Sequence, residues 1–462
     1  MISLFEDQKE LIEQTAAKMR GGCKSVLMQA ATGFGKSICS AELIRRASLK
    51  GSKTWFIVPR RDLLRQMSLT YDNFKLDHSF IAAGYTNNVF SKTHICSIGT
   101  LRTRLDKLKP PQLAIIDEIH VGGDGLNALV LWLKSHGCYI IGLSATPTKL
   151  NGQGLGVWCD DMVQGPSIRA LVDAGRLSDY KAYAPSHPNL SNIGISAGDY
   201  AKGQLQSFME ADRVLVGNAV SHYKQHAMGK LGIAYCVGIK HSQMVAESFR
   251  EAGIPAMHMD GETPDIERKR IIAAYAKREL LVLSNCELLT YGFDLGSQVG
   301  MDVTVECMSD LRPTKSLALQ MQKNGRILRK KPYPALIFDH ANNLQEHGLP
   351  CEERQWTLAD RKKRRREDGE KTMPVRQCDQ CFYCQKPAPV CANCGFVFPI
   401  QDRDISEVEG ELSEVDIEMA KKQKNMEVGR ARTLADLQAI AKQRGYKSGW
   451  TRIVAAKKGI RV

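Results

Sequence analysis

The sequence predicts an α/β protein of two consecutive lobes, each a parallel sheet with helices on both faces, followed by a small cysteine-rich module and a C-terminal helical unit. Three observations carry that prediction. Short apolar runs alternate with amphipathic stretches through the first two-thirds of the chain, the rhythm of parallel strands joined by crossover helices. The rhythm breaks once, near residues 184 to 200, and then resumes. After His347 it stops, and five cysteines crowd between Cys378 and Cys394.

In the first lobe the strand candidates are SVLMQ, TWFIVP, LAIIDE and YIIGLSAT; in the second they are GIAYCV, LLVLSN, VTVEC and ALIFDH. The expected boundaries are a first lobe over 1–165, a connecting segment over 166–210, a second lobe over 211–346, a basic linker over 347–373, a metal-binding module over 374–400, and an acidic linker with a helical unit over 401–462. A length of 462 residues exceeds one ordinary core and fits two or three domains. In the basic linker, Arg361, Lys362, Lys363, Arg364, Arg365 and Arg366 form one unbroken run, which must stay solvated as a linker or meet phosphates. In the last unit Leu434, Leu437, Ile440 and Ala441 recur at helical spacing, and Gly445 and Gly449 punctuate a turn before a final helix.

Composition narrows the function classes. With 43% hydrophobic and 25% charged residues, the chain has the make-up of a globular protein. No apolar run approaches the roughly 18 residues that span a bilayer, so a membrane role has no support. The start, MISLFEDQKELIEQ, is acidic early and lacks a leader pattern, so the mature chain is expected to begin at Met1. A net charge of +14 attracts polyanions and points to nucleic acid as partner. Of the 14 cysteines, nine are scattered, such as Cys96 and Cys236, a distribution that fits a reducing cytoplasm with one metal site.

The strongest local signal is AATGFGKS, from Ala30 to Ser37, between the strand SVLMQ and the helical stretch ICSAELIRRA. Gly33 and Gly35 let successive amides of Thr32, Phe34 and their neighbours turn toward phosphate oxygens, and the helix N-terminus adds its positive dipole end. Lys36 is expected to meet the β- and γ-phosphates of ATP, and Ser37 to ligate magnesium. A phosphate loop needs an acidic partner, and Asp117 and Glu118 follow the strand LAII directly. Asp117 is expected to hold magnesium through water, Glu118 to polarise the attacking water as general base, and His120 to sense the state of the site. Asp-Glu after a strand also serves as a plain helix start; its pairing with Lys36 favours catalysis.

At this point the residues resemble a known family. Asp117-Glu118-Ile119-His120 and Ser144-Ala145-Thr146 are similar to motifs II and III of superfamily 2 DEAD/DEAH-box helicases. Gln8 stands where that family reads adenine, Pro59-Arg60-Arg61 where motif Ia contacts nucleic acid, and Ser97 to Leu101 where motif Ic lies. Thr290-Tyr291-Gly292-Phe293-Asp294 resembles motif V, and Gln322 to Arg329 resembles motif VI. The resemblance covers roughly residues 1 to 345 and implies two tandem RecA-like P-loop lobes. It implies nucleotide contacts from Gly292 and Asp294, a motif VI role for Gln322, and nucleic-acid contacts from Pro59, Arg60, Ser97, Thr100 and Thr290. Within the superfamily the chain resembles the bacterial RadD group and related phage-type helicases, through RPTKSLALQ, the cysteine-rich tail and RGYKSGW. Hydrolysis drives relative motion only when one lobe binds ATP and the other completes the site; Arg326 and Arg329 are expected to reach across as arginine fingers.

The tail holds two Cys-x-x-Cys knuckles, whose thiolates can place sulfurs on one tetrahedral zinc ion. Five cysteines compete for four places. By similarity to the family tail, and because Gly395 suits the second knuckle, the expected set is Cys378, Cys381, Cys391 and Cys394, forming a zinc-ribbon-like module; the alternative puts Cys384 in place of Cys378. Phe382, Tyr383, Phe396 and Phe398 either stack bases or fill the small core around the metal. The function expected is an ATP-dependent helicase or translocase, on DNA before RNA, in replication, recombination or repair, with a protein partner possible through the C-terminal region. An RNA helicase and an ATP-switched annealing factor are the alternatives.

Overall fold

The computed structural model describes residues 3–185, 188–288, 295–360, 374–399, 426–428, 431–446 and 449–460. Two compact units emerge, Met1–Phe398 and Pro399–Val462. The larger holds two separate parallel sheets.

The first sheet comprises β1 (Ser25–Gln29), β2 (Thr54–Val58), β3 (Ser79–Ile81), β4 (Thr93–Ser97), β5 (Leu113–Ile116), β6 (Tyr139–Ser144) and β7 (Asp161–Gln164). Its order is β3-β4-β2-β5-β6-β1-β7, with every pairing parallel. Residues of β1, β2, β4 and β5 are buried throughout because crossover helices cover both faces, which is why these strands read as continuous apolar runs. The loops that matter leave the carboxyl ends of β1 and β5, where ligands collect in open α/β sheets.

The second sheet takes β8 (Tyr180–Tyr183), then, after a small hairpin of β9 (Ile195–Ser196) and β10 (Asp199–Tyr200), β11 (Gly232–Tyr235), β12 (Ala256–Met259), β13 (Val282–Asn285), β14 (Cys307–Asp310) and β15 (Ala335–Asp339). The order is β12-β13-β11-β14-β15-β8, again parallel. Two sequence expectations change here. Residues 180–183 fall inside the expected connecting segment, yet β8 pairs with β15 and closes the second sheet. The strand expected at VTVEC instead begins at Cys307 and ends at Asp310. Val303 and Val305 are buried without ladder pairing, while the polar end of β14 is hidden because Asp310 is fully buried against Lys323.

That pair anchors the helix Leu317–Ile327 to the sheet. Lys323 Nζ donates to both Asp310 carboxylate oxygens, at 2.7 and 2.6 Å, and to the Arg312 carbonyl at 3.2 Å. Burial pushes the lysine pKa down, opposed by Asp310.

Beyond the second sheet the chain returns to the first lobe. Gly156 N–H donates to the Leu358 carbonyl at 3.0 Å, Gly154 N–H to Asp360 Oδ1 at 2.8 Å, and Gln164 Nε2 to the Trp356 carbonyl at 3.2 Å. A Cβ on Gly154 would sit 2.1 Å from the Leu358 carbonyl oxygen, so only glycine admits this strap. The run from Arg361 to Arg366 lies outside the described residues. The cysteine module, with β16 (Arg376–Gln377) antiparallel to β17 (Cys384–Gln385), docks on the free edge of β8. Ala184 N–H donates to the Phe382 carbonyl at 3.0 Å, and Tyr383 packs edge-on against Tyr183.

The smaller unit packs the helices Leu434–Gln443 and Gly449–Lys458 around Ala431, Leu437 and Ala455. Thr433 and Asp436 cap the first of them reciprocally. No described helix is long and apolar enough to cross a membrane.

Candidate active site

The loop after β1 turns through Gly33 at φ +89° and Gly35 at φ +99°, conformations that exclude most side chains. Space makes the same demand: a Cβ on Gly35 would lie 2.5 Å from Gln8 Nε2, and one on Gly33 2.9 Å from Leu177 Cδ2. The helix then starts at Lys36, whose buried Nζ donates to the carbonyls of Ala30 at 2.9 Å and Ala31 at 3.3 Å. Ser37 lines the same cleft. Gln8 lies beneath this loop, its Nε2 donating to the Phe34 carbonyl at 2.9 Å and its Oε1 accepting from Phe5 N–H at 3.1 Å.

Asp117 and Glu118 leave the end of β5. Burial, then the Glu118 charge, pushes the Asp117 carboxyl up to about 7, with Lys36 pulling the other way. Glu118 adopts φ +45°, a strained left-handed conformation that turns its side chain toward the cleft. His120 is buried, with Nδ1 2.9 Å from Ser144 Oγ and 3.3 Å from Glu118 Oε2; burial holds its pKa below the ordinary value. Ser144 Oγ donates onward to the Thr146 carbonyl at 2.6 Å, so motifs II and III form one connected unit.

The second lobe closes the cleft. Gln322 Nε2 donates to Glu118 Oε2 at 2.9 Å. The backbone of Gly325 approaches Thr32 so closely that a Cβ there would meet the threonine Cβ at 2.1 Å. A cleft of about 400 Å³ is lined by Thr32, Lys36, Asp117 and Glu118 from one side and by Arg329 and Lys330 from the other. Arg329 therefore shares the cleft with Lys36. Arg326 is buried near Tyr235 of β11 and is not among the cleft-lining residues.

The residues expected to contact nucleic acid lie at the carboxyl ends of neighbouring strands. Pro59 and Arg60 follow β2, and Arg60 Nη1 donates to the Leu288 carbonyl at 3.4 Å. Ser97 caps the short helix Ile98–Arg102, and the Thr100 hydroxyl accepts from Ala83 N–H at 3.0 Å. Thr290, Gly292 and Asp294 lie outside the described residues.

One residue that sequence reasoning missed also lines the cleft. Arg176 donates to the Phe34 carbonyl at 2.7 Å, pairs with Asp7 and lies over the Phe5 ring at 4.1 Å. A lone arginine in a Gly-Arg-Leu turn carries no sequence signal for that position.

In the cysteine module the sulfurs of Cys378, Cys381, Cys391 and Cys394 all lie within 4.8 Å of one another. The Cys378–Cys394 and Cys381–Cys391 separations are 3.6 and 3.7 Å. Zinc–sulfur bonds of about 2.3 Å in a tetrahedron put sulfurs about 3.8 Å apart, so the cluster fits that ion. Each knuckle turns on a left-handed residue just after its second cysteine, Phe382 at φ +57° and Gly395 at φ +75°. Cys384 stands outside the cluster: it sits in β17, and burial pushes its thiol up to about 12. Phe398 is buried in the module core and Tyr383 is taken up by Tyr183.

Residues 1–149 match the family described as the type III restriction enzyme res subunit. A 51.5 kDa protein of a Lactococcus phage is 29% identical over 405 residues, covering 86% of this chain and 83% of that protein. The putative ATP-dependent helicase IRC3 of Saccharomyces cerevisiae is 27% identical over 346 residues, 71% of this chain. The chain is therefore similar to superfamily 2 DEAD/DEAH-type helicases. It spans 49% of the length of the yeast protein. Among solved structures, the ATP-dependent Type ISP restriction-modification enzyme LlaBIII bound to DNA shares the fold, with a TM-score of 0.54 at 17% identity over 74% of this chain and 28% of that one.

Proposed function

We propose that this chain hydrolyses ATP in the cleft between its two sheets and uses the cycle to move along or open DNA in replication, recombination or repair. The observation that carries the reading is the convergence of Lys36, Asp117 and Glu118 from the first lobe with Gln322 and Arg329 from the second. In this reading Thr32 to Ser37 cradle the phosphates, Gln8 reads the adenine, and Ser37 and Asp117 hold magnesium, which supplies charge neutralisation at the phosphates. Glu118 accepts a proton from the attacking water. Gln322 and buried His120 both meet the same carboxylate oxygen, Oε2, and so hold that group in one orientation. Arg329, just past the end of the helix Leu317–Ile327, stabilises the charge that develops on the transferred phosphoryl group, and Arg326 lies in the last turn of that helix.

DNA is favoured as the track by the net charge of +14 and by the likeness to an enzyme held on DNA. Arg60, Ser97 and Thr100 sit at the mouth of the first sheet, where a strand backbone would lie. Cys378, Cys381, Cys391 and Cys394 hold one zinc ion that keeps the module on the edge of β8. The tail likeness to the RadD group, and a protein partner for the C-terminal unit, belong to the same proposal. The test is ATP turnover across a panel of single-stranded DNA, branched DNA and RNA. Stimulation by DNA above RNA is expected; preferential stimulation by RNA overturns the DNA assignment and leaves the ATPase reading standing.

A further inference from the structure

We propose that Arg176, Leu177 and Ser178 form a positioning relay that sets the register of Arg329 against the phosphate loop. The inference rests on the reading of the cleft as the ATP site. These three residues stand just before β8, where the chain crosses from the first sheet to the second. Their contacts divide by direction. Arg176 faces the first lobe: it holds the Phe34 carbonyl at 2.7 Å, pairs with Asp7, and covers the Phe5 ring. Leu177 fills the space that Gly33 leaves, with Cδ2 2.9 Å from where a Cβ would stand.

On the other side the same segment grips the backbone that carries the finger. Leu177 forms an antiparallel bridge with Arg329, Ser178 N–H donates to the Leu328 carbonyl at 2.9 Å, and Ser178 Oγ donates to the Arg329 carbonyl at 2.8 Å. Leu328 and Ser178 are buried and Arg329 lines the cleft, where a hydrogen bond is stronger than at the surface and a misplacement of the finger by about 1 Å costs on the order of a hundredfold in rate. The phosphate loop and the arginine finger, which belong to different sheets, are therefore spaced by three consecutive residues of a third segment. Arg176 and Leu177 line the cleft and Ser178 does not; all three act by positioning Arg329 and Phe34.

The relay separates binding from turnover. Ser178→Ala removes only the bond to the Arg329 carbonyl; kcat for ATP is expected to fall about fivefold, the worth of one buried hydrogen bond, with KM unchanged within about twofold. Ser178→Thr keeps the hydroxyl and restores kcat. Arg176→Ala loosens the phosphate loop and raises KM for ATP about tenfold, which Arg176→Lys partly restores. The deciding readout is the Ser178→Ala effect on an Arg329→Lys background, with melting temperatures measured alongside. Loss of the kcat effect on that background supports the relay. The same fivefold fall on both backgrounds, or no fall in the wild-type background, overturns it. Absence of ATP turnover in the unsubstituted chain overturns the ATPase reading, and the relay with it.

Discussion

Replacing Lys323 by methionine tests how the second lobe holds the helix Leu317–Ile327. The ammonium has three acceptors, two on Asp310 and one on the Arg312 carbonyl, and both charged side chains are 0% exposed. Methionine fills nearly the same volume but donates nothing. Among the described residues Asp310 then keeps the Asn343 amide at 2.9 Å and the Arg312 N–H at 3.3 Å, and loses the ammonium in direct contact with its carboxylate. Asp339 lies near enough that Asp310 already helps burial push its carboxyl up to about 6. Removing one partner of a buried pair in this way costs about 3–5 kcal/mol. For a lobe of about 150 residues that lowers the melting temperature by roughly 6–20 °C. Calorimetric melting of the single variant and of Lys323→Met combined with Asp310→Leu distinguishes the cause, because a fully apolar replacement leaves no stranded charge and recovers much of the loss. A single variant that melts within about 1 °C of the wild type, against the several degrees expected, refutes the reasoning, as does a double variant no more stable than the single.

Other predictions follow from the site and its surroundings. Lys36→Ala and Glu118→Gln each abolish ATP turnover, while Glu118→Gln still binds ATP; a hydrolytically active Glu118→Gln enzyme contradicts the base assignment. Metal analysis of purified protein finds about one zinc per chain, Cys391→Ser loses it, and chelation disorders the module and unpacks Tyr383 from Tyr183; a metal-free preparation with an intact module contradicts the assignment. His340 is held at about 3, against an ordinary 6.5, by burial and then by His222. The unfolded chain therefore takes up this proton below about 6.5 and the folded chain does not, so the wild type loses stability as pH falls from about 6.5 toward 3, by up to about 1.4 kcal/mol per pH unit. His340→Leu lacks that dependence, and equal pH slopes of unfolding free energy for the two proteins would contradict the assignment.

Much of the first lobe was legible because its chemistry is local. A strand, a glycine turn and a helix in order place Lys36, and a strand ending in two carboxylates places Asp117 and Glu118. The fit of four of the five clustered cysteines was legible from spacing and from the family tail, since a knuckle is a local object too. What depends on distant pairing was not. β8 reads as part of a connector because its partner β15 comes some 150 residues later. β14 carries its polar end unannounced because Asp310 is neutralised by a lysine on the next helix. The two motif VI arginines look alike in sequence, but Arg326 lies in the last turn of the helix near Tyr235, whereas Arg329 falls past the helix end and lines the cleft. Arg176 was invisible for the same reason: its partners Asp7 and Phe34 lie more than a hundred residues away.

The central claim is that a nucleotide is completed by both lobes, and Arg329→Ala tests it most directly through ATP affinity and single-turnover hydrolysis measured on the same preparation. The expected result is affinity within a few-fold of the wild type and a hydrolysis rate lower by about 10³ or more, the worth of an arginine finger. Hydrolysis at the wild-type rate with Arg329 removed would mean that the second lobe does not complete the site.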